Sequence, residues 1–193
     1  QLLHLGGVDA VALCLRSRNE DEFIRAVEMP EPSFGAINLE DIAQPGCFRI
    51  LAALRERMDI PVWHDDQQGS AVVALAGLVN ALAVVGKRLD SVRIALLGMG
   101  AANSAVCRLL RASGVAPAQI VACDHRGVLH RGRADIARVQ TLYPDKWALC
   151  AESNPDAITG GPADALRGAD VCLAFSAPWP GTSPPPDAAS RAP

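Results

Sequence analysis

The chain has 193 residues, half of them hydrophobic, with 18 basic and 21 acidic side chains and a net charge of −3. That length supports one sizeable core, or one domain with part of another, and the absence of a basic cluster argues against a nucleic-acid partner. Aromatic residues are scarce at 4%, and Ala, Val and Leu are abundant, which suits an α/β protein whose strands are covered by helices on both faces.

In chain order, residues 7–15 read as a buried strand. Residues 19–27 can form a short helix, with Asn19 as N-cap and acids in the first turn, before Pro30 and Pro32. Residues 34–39 form a second apolar strand, which delivers Glu40 and Asp41 at its carboxyl end. Residues 47–58 have Phe48, Leu51, Leu54 and Met58 at helical spacing. Residues 60–63 make a third short strand, which delivers Asp65 and Asp66. Two successive strands therefore end in a carboxylate pair, and ligand sites in open parallel sheets lie at the carboxyl ends of strands. Residues 69–85 read as a buried helix closed by Gly86. Their apolar run contains Asn80 and falls short of the roughly 20 residues that span a bilayer, so no membrane contact is expected.

A β-α-β unit follows: a strand at 93–97, a helix at 101–113 ended by Gly114, and a strand at 119–124. A loop at 125–133, a helix at 134–142 before Pro144, a short helix at 163–168 and a strand at 170–175 complete the reading. The Pro-, Ala- and Ser-rich end is expected to be a disordered tail. Six cysteines stand at 14, 47, 107, 123, 150 and 172 without a C-x-x-C pair, the pattern of reduced thiols in a cytoplasmic protein. No signal peptide is visible.

Glu40, Asp41 and Asp66 could together hold Mg²⁺ or Mn²⁺, hard ions that prefer oxygen ligands. Taken singly, such acids are ordinary solvated caps of the helices that follow. His64 could join them, or serve as a hydrogen-bonding residue in the core or at the rim. Gly98-x-Gly100-x-x-Asn103 is an imperfect form of the glycine turn that places a pyrophosphate on a helix N-terminus. Asn103 occupies the position where a third glycine usually permits close helix–strand packing. Asp124 ends the next strand, where an acid can bind adenosine ribose hydroxyls, which favours NAD. His125 and Arg126 beside it could instead receive the 2′-phosphate of NADP. The glycines could also be a purely structural turn. Ser176-Ala177-Pro178 could line the cofactor cleft. Trp63, Trp147 and Trp179 read as packing residues, and Arg131 and Arg133 as a solvated basic patch.

The runs Phe34-Gly35-Ala36-Ile37-Asn38-Leu39-Glu40-Asp41-Ile42, Ile60-Pro61-Val62-Trp63-His64-Asp65-Asp66-Gln67-Gln68-Gly69-Ser70-Ala71 and Gly98-Met99-Gly100-Ala101-Ala102 resemble malic enzymes of the compact bacterial type. Gly7-Val8-Asp9-Ala10 and Cys123-Asp124-His125-Arg126-Gly127 fit the same pattern, so the likeness covers roughly residues 3–180. The resemblance implies a Rossmann-like parallel sheet, preceded by the C-terminal part of an α/β malic-enzyme N-terminal domain. It divides the chain into a metal-binding part at 1–70, an NAD(P)-binding part at 71–180 and a tail at 181–193.

The resemblance also implies oxidative decarboxylation of malate to pyruvate and CO₂ with NAD or NADP and Mg²⁺ or Mn²⁺. Glu40, Asp41 and Asp66 would be metal ligands, and Asp65 would orient the catalytic base. Gly98, Met99, Gly100, Ala101, Ala102 and Asn103 would hold the pyrophosphate, with Asp124 on the ribose. A homodimer or higher oligomer is implied. In the family a lysine base and a tyrosine acid precede the first of these motifs, and neither Lys87, Lys146 nor Tyr143 matches them. Gln68, Ser70 and Asn103 replace the usual His, Thr and Gly. These departures support a second reading, a catalytically inactive dinucleotide-binding or interaction module. A third is a different Rossmann dehydrogenase such as an amino-acid dehydrogenase. The two acidic pairs argue against the last.

Overall fold

The computed structural model describes residues 2–176. The expected tail, Trp179 and the end of the Ser176-Ala177-Pro178 segment lie outside the described residues.

The elements run α1 (Leu2–Gly6), α2 (Glu20–Glu28), β1 (Ile37–Leu39), α3 (Gly46–Arg57) and β2 (Val62–His64). A turn of π-helix (Asp65–Gly69) leads into α4 (Ser70–Val84). Then come β3 (Ile94–Leu97), α5 (Ala101–Ala112), β4 (Ile120–Asp124), β5 (Gly127–Val128), α6 (Ile136–Leu142), α7 (Pro144–Glu152), α8 (Pro162–Leu166) and β6 (Val171–Ala174).

β1 and β2 pair in parallel, with Leu39 opposite His64, so both acidic segments leave from the same edge. Ile24, Leu39, Ile50, Leu54 and Val62 form the core that packs α2 and α3 on these strands. Asn19 caps α2 as expected, its side-chain oxygen accepting the N–H groups of Asp21 and Glu22.

The second sheet has the order β5-β4-β3-β6, with β3 parallel to both β4 and β6. Alternate residues of β4 face opposite ways. Ile120 and Ala122 join the core that includes Leu78, Leu82, Val106 and Leu110. Val121 and Cys123 pack with Val128 and Ala165. β3 and β4 are therefore covered on both faces, which explains their unbroken apolar sequence. The α/β fold with a parallel sheet is as the sequence predicts.

Three expectations change. Residues 7–15 form no strand, and Val8, Val11 and Leu13 are exposed. An apolar run becomes a strand only when an edge accepts its backbone groups, and no described strand pairs with it. Second, α4 is not buried all round: Ala71, Leu78 and Leu82 face the core, while Val72, Val73, Val79 and Val84 are exposed. The π-turn also lengthens it into a continuous helical run, Asp65–Val84, of 20 residues and mean hydropathy 1.4, long and apolar enough to cross a membrane by those two criteria. Here it packs against α5. Third, Pro144 does not end helical structure but opens α7 from its first turn, where its missing N–H costs nothing. Cys47, Cys107, Cys123 and Cys150 are buried free thiols; Cys14 and Cys172 are free and exposed.

Candidate functional site

The crevice outside β3 is a topological switch point, because the chain leaves β3 towards β4 on one side and returns as β6 on the other. Gly98 lies here at φ +83°, and a Cβ at this position would stand 2.5 Å from the Phe175 carbonyl oxygen. Only glycine meets both conditions without strain. Its N–H donates to the Cys123 carbonyl at 2.8 Å. Gly100 caps α5 with no side-chain hydrogen bond, and a Cβ there would meet nothing within 4 Å. The first backbone N–H groups of α5 have no acceptor within the helix and no capping side chain, and an anion can satisfy them.

Within the predicted phosphate segment, Ala101 and Ala102 are half-buried at the start of the helix. The side chains of Met99 and Asn103 turn inward, at 2% and 0% exposure. Asn103 donates from Nδ2 to the carbonyls of Leu97 (2.9 Å), Gly98 (2.9 Å) and Leu173 (3.3 Å). The residue that replaces the third glycine is therefore a strut inside the turn. Only its backbone, like that of Met99, can meet a cofactor.

The acidic strand ends lie beside each other. The Asp41 N–H donates to Asp66 Oδ2 at 3.0 Å, with Asp41 in the left-handed region at φ +57°. Glu40 Oε1 accepts from the Asn38 amide at 2.9 Å. Asp65 is exposed; its Oδ1 lies 3.5 Å from Trp63 Nε1, and a Cβ on Gly69 would collide with its carboxylate. His64 is fully buried, with Nδ1 4.0 Å from Asp66 Oδ2 and no hydrogen-bond partner on either ring nitrogen. Burial pushes its pKa down, opposed by the charges of Asp66, Glu40 and Asp65. Glu40, Asp41 and Asp66 offer only oxygen donors, which suits a hard divalent ion. The carboxylates of Glu40 and Asp66 are turned to protein neighbours, however, and among the described residues no three His, Cys, Asp or Glu groups are gathered to hold a metal.

A bridge links this turn to α5. Arg108 donates to Gln67 Oε1 at 3.0 Å and to Asp145 at 2.9 Å, and its guanidinium lies 5.3 Å from the centre of the Phe48 ring. Sequence reasoning missed Arg108 and Gln67. An arginine on a helix opposite a glutamine that follows two acids is the only signal they give.

Asp124 ends β4 with its side chain 6% exposed. One oxygen accepts Arg133 Nη1 at 3.0 Å and the Arg126 N–H at 2.9 Å. The other lies 3.6 Å from Lys146 Nζ. Arg133 also grips both oxygens of Asp135, at 2.8 and 2.9 Å. Arg133 is thus buried in an ion cluster and is not part of a solvated patch: two aspartates compensate its charge, as a buried cation requires. The cluster borders a cavity of about 110 Å³ that Asp124, His125, Arg126, Arg138, Tyr143 and Lys146 help to line.

The family described as "Malic enzyme, NAD binding domain" matches residues 67–159. An NAD-dependent malic enzyme of Geobacillus stearothermophilus is 44% identical over 173 residues, which are 89% of this chain and 34% of that protein. An NADP-dependent malic enzyme of Rhizobium meliloti is 44% identical over 170 residues, 88% of this chain and 21% of that protein. The crystal structure of Entamoeba histolytica malic enzyme matches with a TM-score of 0.87 at 46% identity, covering 93% of this chain and 38% of that one. The fold and the glycine turn define an α/β domain of the dinucleotide-binding type. The chain belongs to the malic enzyme family, and spans about a third of the length of the Geobacillus relative.

Proposed function

We propose that this chain carries the metal-binding strand ends and the dinucleotide half-site of an enzyme that oxidatively decarboxylates malate to pyruvate and CO₂ while reducing NAD(P)⁺. The observation that carries the reading is the Asp41–Asp66 hydrogen bond, which joins two acidic strand ends in the chain that also holds the phosphate turn. Glu40, Asp41 and Asp66 would hold Mg²⁺ or Mn²⁺, which when bound polarises the malate C2 oxygen and offsets the charge of the enolate left by CO₂. Gly98 and Gly100 let the backbone approach the pyrophosphate, and the N–H groups of Ala101, Ala102 and Asn103 receive it. Asp65 orients the group that takes the hydroxyl proton as hydride passes from C2 to the nicotinamide. That group is neither Lys87, which pairs with Asp170 at 2.5 Å, nor Lys146, which faces Asp124. In this reading the base and the acid that protonates the enol come from segments of the longer relatives beyond this chain, and subunit association covers the exposed valines of α4.

The test is titration of the chain with NAD⁺ and NADP⁺, with and without malate and Mn²⁺, followed by intrinsic tryptophan fluorescence. Dinucleotide affinity that rises with malate and Mn²⁺ supports the reading. Dinucleotide binding indifferent to both supports the inactive binding module instead, a reading favoured by the engagement of both lysines elsewhere.

A further inference from the structure

An acid at the end of β4 serves an adenosine ribose when its two oxygens are free to accept the diol. Asp124 does not meet that condition. Arg133 and the Arg126 backbone take one oxygen, Lys146 stands over the other, and the side chain is nearly closed from solvent. What the cavity offers instead is cationic. Arg126 is half-exposed and paired only loosely, at 3.7 Å from Asp135. Arg138 is exposed and has no hydrogen-bond or ion-pair partner among the described residues. Lys146 is 5% exposed, with Nζ 4.6 Å from the centre of the Tyr143 ring. Three cations and His125 thus face two aspartates, both of which are occupied by Arg133.

Building on the dinucleotide reading above, we infer that this cavity is a 2′-phosphate pocket, with Arg126 and Arg138 as the residues that select NADP over NAD and Lys146 as its floor. A dianionic phosphate supplies the acceptors that Arg138 lacks and that Arg126 holds only at a distance. A ribose hydroxyl would leave both guanidinium groups without a partner. Arg133 stays outside the exchange, because Asp124 and Asp135 already saturate it. Its role is to switch off the acid that would otherwise repel the phosphate. Family membership does not decide this point, since NAD- and NADP-dependent relatives match equally well.

The test uses the chain itself with 2′,5′-ADP and ADP as probes, by isothermal titration calorimetry. The expected result is 2′,5′-ADP binding tighter by about tenfold or more, the worth of one charge-assisted contact. The margin should shrink as salt rises. Arg126→Gln and Arg138→Gln, both at exposed positions, should each narrow the margin and leave ADP affinity unchanged. Equal binding of both probes, or a margin untouched by either variant, overturns the assignment and leaves the dinucleotide reading standing. If neither probe nor either dinucleotide binds, the dinucleotide reading falls and takes this one with it.

Discussion

The Asp41 backbone N–H donates to Asp66 Oδ2 at 3.0 Å, across the ends of two parallel strands. The bond needs an acceptor oxygen but not a charge. Asp66→Asn keeps an oxygen for Asp41 and removes the carboxylate. It should leave the thermal unfolding midpoint close to that of the parent chain and weaken Mn²⁺ binding by about tenfold or more. Unchanged Mn²⁺ affinity in a folded variant would remove Asp66 from the ligand set.

The two glycines of the phosphate turn should respond oppositely to the same substitution. Gly98→Ala sets a Cβ against the Phe175 carbonyl at positive φ, and should cost about 1–3 kcal/mol in urea unfolding. Gly100→Ala meets no protein atom within 4 Å, so stability should hold while NAD(P)⁺ affinity drops. Equal stability losses in both would mean that the turn is structural only.

Restoring the usual glycine at 103 should not improve this protein. Asn103→Gly deprives the Leu97, Gly98 and Leu173 carbonyls of their shared donor and opens a void. A loss of about 1–3 kcal/mol in urea unfolding is expected. A variant as stable as the parent would show that the strut is dispensable.

Burial raises the thiols of Cys47, Cys107 and Cys123 from 9.0 to about 11. Between those values the unfolded chain has lost thiol protons that the folded chain still binds, so stability falls as pH rises. This contribution is whole below pH 9.0 and lost by about pH 11. Thermal midpoints across that window should decline, and the decline should be shallower in Cys107→Ala after correction for its lower starting stability. A slope that Cys107→Ala leaves unaltered would assign the effect to other groups.

The elements that local pattern determines were legible in the sequence. Asn19 announces α2, the burial of β4 on both faces follows from its unbroken apolar run, and Gly98 and Gly100 mark a strand-to-helix turn. Elements that depend on a distant partner were not. Residues 7–15 have strand composition but no pairing edge. The exposed valines of α4 are apolar like its buried leucines, and only packing against α5 separates them. Asp124 and Arg133 lie nine residues apart, yet nothing local says that one neutralises the other. At the candidate metal site, sequence order brought the acidic pairs to adjacent strand ends. How the carboxylates turn depends on Asn38 and on the backbone of Asp41.

Asn103 has a consequence for the order of assembly. One of its three acceptors, Leu173, lies 70 residues further along, and the Leu97 carbonyl also receives the Phe175 N–H at 2.9 Å. β3, α5 and β4 can collapse on one another early, because their contacts are short in sequence. The phosphate turn between them is finished only when β6 arrives. Nucleotide competence is therefore a late event in folding, and a ligand that binds the completed turn would act as a clamp on the last strand.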